Sequence, residues 1–167
     1  EMSFPRLSFA ETVERIVALL DQAIPELNWK EDNFNDGRMT SAGAMALKFK
    51  VLQWAASPAF NSSDKWHPQA NEYSCYGNYD VERWNRALEA GKAFFQGIEA
   101  NGGYSLIHAE TASHRSYRLA YRKAYYERGG SEILISTRHG YGPETHNAYI
   151  NQRLYSGPTL NYVEMFP

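Results

Sequence analysis

The chain has 167 residues, sized for one domain, and 17 Lys plus Arg stand against 19 Asp plus Glu for a formal net charge of −2. That balance, with no long run of like charge, argues against a broad nucleic-acid surface, which needs a concentrated basic face. Aromatic residues reach 14%, with 12 Tyr and 4 Trp, a density that suits both a helical core and a surface that stacks flat ligands.

The first predicted element is a helix opened by a capping box, Ser8 with Glu11, in which each side chain satisfies an orphan amide. Phe9, Val13, Ile16, Val17 and Leu20 follow at helical spacing, and Pro25 limits the run. Asn28 to Gly37 reads as a loop. A second helix is expected from about Thr40 to Ser57, capped by Thr40 or Ser41 and ended by Pro58. Its first turns are small (Ala42, Gly43, Ala44, Ala46), which lets a neighbouring helix come close. Met45, Phe49, Leu52 and Ala56 supply the expected buried stripe, and Trp54 is assigned to the core with them.

Asn61 to Asn78 is a long polar loop carrying Trp66, His67, Tyr73 and Tyr76. Loops of that length inside a compact domain are often functional. Asp80 then caps a third helix with Trp84, Ala87, Leu88, Gly91, Phe95 and Ile98 on one face, closed by Asn101-Gly102-Gly103. A fourth helix is expected over Ser113 to Glu127, with Tyr117, Ala120, Tyr121, Ala124 and Tyr125 inward. Glu132 to Ser136 is the one strand candidate. Thr137 to Gly157 loses all periodicity and reads as an ordered loop, and a last helix begins near Pro158-Thr159. The second and third helices start about 40 residues apart, as in degenerate helical repeats. The fold class expected is mainly α, tetratricopeptide-like helical pairs with long ligand-bearing loops and at most a short strand, in a single domain over 1–167.

Cys75 is the only cysteine, so an internal disulfide is excluded, and a lone thiol leans towards a reducing compartment without excluding export. No apolar stretch approaches the roughly 20 residues needed to span a bilayer. The chain opens on Glu1 with no export signal, and reads as a processed or trimmed piece of a longer protein, any targeting segment or lipid anchor lying outside it.

Metal and catalytic motifs are missing. His67, His108, His114, His139 and His146 form no H-E-x-x-H pattern. There is no G-x-S-x-G elbow, and the double glycines read as helix stops rather than a phosphate cradle. No cofactor, metal or catalytic residue is expected. What remains is aromatic side chains interleaved with polar ones at Trp66–Tyr79 and His139–Tyr155. A sugar lays its C–H faces on Tyr or Trp and needs Asn, Arg, Asp or His for its hydroxyls, held on loops by a rigid scaffold. The alternative for these aromatics is to anchor long loops on the helices.

An ordered series of segments resembles the SusD/RagB family. Pro5-Arg6-Leu7-Ser8 is similar to the segment opening its second helical repeat, and Gly37-Arg38-Met39-Thr40-Ser41-Ala42-Gly43-Ala44-Met45-Ala46-Leu47-Lys48 to its G-R-x-T-x-x-A-A-x-A-L-x helix. Ala55-Ala56-Ser57-Pro58 with Phe60-Asn61 resembles the A-A-S-P-x-F-N end of that helix. Trp84, Ala87 and Ala90 match the W-x-x-A helix, and Tyr104-Ser105-Leu106 the Y-x-L after it. Ser131-Glu132-Ile133-Leu134 resembles the S-E-I/V-I strand, and Gly157-Pro158-Thr159-Leu160-Asn161 the P-T-Q-x-L-V-D-x-F segment. Leu19 and Leu160 depart from the pattern, standing where Asp and Gln are usual.

The resemblance covers the central part of such a protein and implies a function. Family members are lipid-anchored on the outer face of the outer membrane, bind oligosaccharides (peptides in some branches), catalyse nothing, and serve a TonB-dependent transporter. By position it implies a carbohydrate site in the His139–Tyr155 loop, with Tyr141, Tyr149 and Tyr155 as stacking platforms and Arg153, Asn151 and His139 as hydroxyl partners. The partners expected are therefore an oligosaccharide and the transporter, with no nucleic acid, and membrane contact only through an anchor outside this chain. The rival expectation is a helical-repeat scaffold for a protein or peptide partner; a glycan-cleaving enzyme would need a carboxylate pair that nothing singles out.

Overall fold

The computed structural model describes residues 5–32, 34–64, 67–126 and 129–136. The expected loop Thr137–Gly157, the helix near Pro158 and all six expected sugar-binding residues lie outside them. The described part is mainly α: α1 (Phe9–Ala23), α2 (Ser41–Ala56), α3 (Glu82–Asn101) and α4 (His114–Tyr126), with a 3-10 turn at Ile24–Glu26.

Each boundary has a local cause. In α1 the Ser8 backbone N–H donates to Glu11 Oε2 at 2.8 Å, and the Glu11 N–H donates to Ser8 Oγ at 3.2 Å, so the capping box is complete. The Ser8 hydroxyl also donates to Glu11 Oε2 at 2.7 Å, and this bond first, then the one from the Ser8 N–H, holds the Glu11 carboxyl below its usual range. Thr40 Oγ1 caps α2 by accepting from Gly43 N at 3.0 Å. Ser57, held at φ −65° and ψ 155° ahead of Pro58, ends it, since a residue before proline is pushed out of the helical region. The Glu82 amide donates to Asp80 Oδ1 at 2.9 Å, and Gly102 at φ 65° closes α3 in a conformation that costs an L side chain more than glycine.

Val13 and Val17 of α1, Leu52 and Ala55 of α2 and Ala87 of α3 form the core, with Phe9, Val51, Tyr76 and Ala90 packed against it. The closest fit is between α2 and α3, which run in opposite directions: Phe49 lies against Gly91, and Met45 lies near Gly97. A Cβ on Gly91 would sit 3.0 Å from the Phe49 ring, and one on Gly97 would sit 2.9 Å from the Trp29 indole. Glycine thus makes room for aromatic rings. Trp29, in the loop before α2, is fixed by its Nε1 donating to Gly102 O at 2.8 Å. A bidentate pair, Arg86 to Glu14 at 2.6 and 2.9 Å, ties α3 to α1. The Arg86 hydrogen bonds keep the Glu14 carboxyl below its ordinary value, and Glu14 raises Arg86 in return.

Four expectations need correction. Glu132–Ser136 is not a strand, and none occurs among the described residues. Ser105 N donates to Ser131 O at 3.1 Å, but the next amide, Ile107, donates to the Glu132 carboxylate at 2.5 Å, so a side chain takes the place of a ladder carbonyl. The segment lies instead on the small start of α2, where a Gly43 Cβ would meet Leu134 O at 3.0 Å. Trp54 is 65% exposed, because it sits about 200° round the helix from buried Leu52. On α3 the buried line is Ala87, Gly91 and Phe94; Leu88 and Phe95, each one residue past a member of it, and Trp84 are exposed. On α4, Tyr117 and Tyr121 are exposed at 58% and 66% rather than inward, while Ala120 and Ala124 are half-buried.

Candidate functional site

The Asn61–Asn78 loop is one of the two aromatic segments singled out in the sequence, and its scaffold is a single buried amide. Asn61, 2% exposed, donates through Nδ2 to Asp80 O at 2.9 Å and accepts from Asp80 N at 2.8 Å. The side-chain amide thus pairs with one backbone unit as a strand neighbour would. Its Oδ1 also accepts from Arg83 at 2.6 Å, and its Nδ2 reaches Ala56 O at 3.3 Å. One residue therefore joins the end of α2, the loop and the start of α3. The far end of the loop is stitched to α1 by Phe9 N donating to Glu72 O at 2.7 Å. Cys75 is a buried thiol in the same loop.

This stitching decides which loop aromatics could face a ligand. Tyr76 is an anchor: Phe9 meets its ring edge-on at 5.0 Å, and the Arg83 guanidinium lies 3.6 Å from its centroid. Burial pushes its hydroxyl pKa up. Tyr73 has the Arg6 guanidinium 5.0 Å from its centroid. Tyr79, 62% exposed, offers a free platform, and Trp66 lies outside the described residues. In this loop the anchoring reading holds for Tyr76, and the stacking reading stays open for Tyr79.

Two features escaped sequence reasoning. The first is a groove of about 400 Å³ between α1 and α2, walled by Phe9, Ile16, Leu47, Val51, Trp54 and Phe60. Its polar groups are Thr12 and Lys50, too few for the hydroxyls of a sugar. The signal was present in the offset of Trp54 from the Leu52–Ala55–Ala56 line. The second is the surface of α4, where Arg115, Arg118 and Arg122 are exposed beside the exposed Tyr117. Its signal is the helix sequence HRSYRLAYRKAYY, which contains no carboxylate. Among the described residues no group of His, Cys, Asp and Glu could hold a metal ion, and no helix is long and apolar enough to cross a membrane.

No family model and no curated protein matches the sequence. Among solved structures, the chain is similar to BT4246, a protein of Bacteroides thetaiotaomicron, with a TM-score of 0.57 at 22% identity. The selenomethionine form of BT4246 gives the same TM-score at 21% identity. In both cases 81% of this chain is covered and 28% of the other, so the chain spans little more than a quarter of that protein. The likeness establishes a shared fold.

Proposed function

We propose that this chain is the helical centre of a SusD/RagB-type cell-surface protein, which captures oligosaccharides for a TonB-dependent outer-membrane transporter and does no chemistry on them. The observation that carries this reading is the ordered motif series along nearly the whole chain. Its described members sit at structural joints: Thr40 caps α2, Ser57-Pro58 stops it, Asn61 joins three elements and Glu132 holds the Ile107 amide. The fold shared with BT4246 over 81% of the chain is compatible with it. Tyr141, Tyr149 and Tyr155 remain the proposed platforms, with Arg153, Asn151 and His139 as polar partners.

A glycan-array screen followed by calorimetry tests the reading. A hit whose affinity drops when all three tyrosines become alanine supports sugar capture and its location. A hit indifferent to the triple substitution moves the site elsewhere, and silence from this chain and from any longer form of it removes the reading. A second reading, a helical scaffold for a protein or peptide partner, is favoured by the apolar α1–α2 groove, whose open walls suit an apolar helix face.

A further inference from the structure

Helix α4 carries a row of like charges that its sequence does not balance. Helix N-termini favour anionic side chains, yet its first turn holds His114 and Arg115 and no acid. Arg115 and Arg118 are three residues apart, and Arg118 and Arg122 four apart. Like charges at these spacings repel along a helix face. None of the three arginines has an ion pair or hydrogen bond among the described residues, whereas Arg86 and Arg83 elsewhere are both engaged. All three are exposed. The start of the helix is capped, with Ser113 Oγ accepting from Ser116 N at 3.2 Å, and Lys123 suits its last turn. The arginine row is thus the feature left unbalanced, and such a row points to a functional surface.

The neighbouring stripe supplies the other half of a site. Tyr117 lies one residue from Arg118, and Tyr121 one turn on from Tyr117. At about 100° per residue, Tyr117 and Tyr121 lie about 100° and 60° round the helix from Arg118 and farther from Arg115 and Arg122, so the aromatic stripe comes nearest the guanidinium row at Arg118. A guanidinium fork matches a carboxylate or sulfate bidentately, and an exposed tyrosine face takes the C–H side of a pyranose ring. One helical turn, about 5.4 Å, is close to the length of one pyranose unit in a chain, so successive arginines can meet successive charged rings.

We infer that α4 is a subsite for anionic oligosaccharide, a chain of uronate or sulfate-bearing sugars, held by Arg115, Arg118 and Arg122 and stacked on Tyr117. The inference rests on the glycan reading above and narrows its ligand to an acidic class. A nucleic acid is the less favoured polyanion, because the whole chain carries a net charge of −2 and the basic row is a single helix long.

The test titrates the chain with oligogalacturonate and, in parallel, with the same oligomer methyl-esterified, which keeps the rings and removes the charge. Saturable binding of the acid form is expected, weakened at least about tenfold by esterification and by R118Q/R122Q together, and falling steeply with added salt. Y117A should lower affinity further without altering the salt dependence. R118K/R122K, which keeps charge and loses the fork, should fall between. Circular dichroism of each variant checks that α4 persists. Equal binding of the two oligomers, an unaffected R118Q/R122Q variant, or equal affinity for single-stranded DNA each overturns the inference. Neutral-glycan binding without acid binding sinks it and leaves the broader glycan reading standing; binding of neither oligomer also sinks it, and the broader reading falls only when a longer form is silent on the glycan array too.

Discussion

Helices α3 and α4 are both amphipathic, and both carry aromatic residues at helical spacing, yet only α3 is packed along another helix. Against α2, α3 presents Ala87, Gly91 and Gly97, positions where ring edges and backbone come close. Among the described residues α4 packs along none of the other helices; it turns Ala120 and Ala124 inward and leaves Tyr117 and Leu119 more than half exposed. Large side chains on a stripe therefore do not define a buried face. Small ones do, because close packing is set by how near two backbones can approach.

The contrast is sharpened first at Asn61, where the largest effect is expected. N61A removes both bonds to Asp80 and the acceptor for Arg83, leaving half-buried backbone groups unpaired at the joint of α2 and α3. The expected loss is about 3 kcal/mol in chemical denaturation. A loss under about 1 kcal/mol would mean the joint is held by its backbone turns alone. G97V comes next. Its new side chain would begin 2.9 Å from the Trp29 ring, and a ring fixed by its bond to Gly102 has little room to yield. Overpacking of this kind costs about 2 kcal/mol, and the Trp29 fluorescence should shift with it. A neutral G97V would show that Trp29 moves freely and that the glycine seam does not set the fit.

Helix positions were legible because caps and stops are local: Ser8 with Glu11, Thr40, Pro58 and Gly102 act on residues within one turn. Burial was less legible because it depends on which neighbour arrives. Phe95 and Phe94 are adjacent, and only the side of α3 that is packed selects Phe94, 7% exposed, over Phe95, 58% exposed. Trp54 has the hydrophobicity of a core residue, but the line of buried alanines beside it fixes the packed face. Glu132–Ser136 carries strand-forming residues and finds no partner strand, and propensity cannot supply one. The anchoring role of Tyr76 depends on Arg83, seven positions on, and on Phe9 in another helix. The acidic character proposed for the ligand was written in α4 all along, in a helix with three arginines and no carboxylate.

The smallest effect belongs to α4, and it separates a binding surface from a packing surface. Tyr117 is 58% exposed, so Y117A removes little buried area and should change stability by less than about 0.5 kcal/mol. Any loss is limited further because alanine is the better helix former, which offsets part of the missing ring. The same substitution is expected to lower affinity for an acidic oligosaccharide, since the ring is then missing from the stacking stripe. Stability and binding should thus move independently at this residue, while at Gly97 a packing change should register in stability first. If Y117A instead unfolds the chain by 2 kcal/mol or more (about the cost of emptying a core site), the ring is buried in solution and α4 is a packed helix like α3. The comparison would then collapse, and the anionic subsite with it, because a buried Tyr117 cannot stack on a sugar.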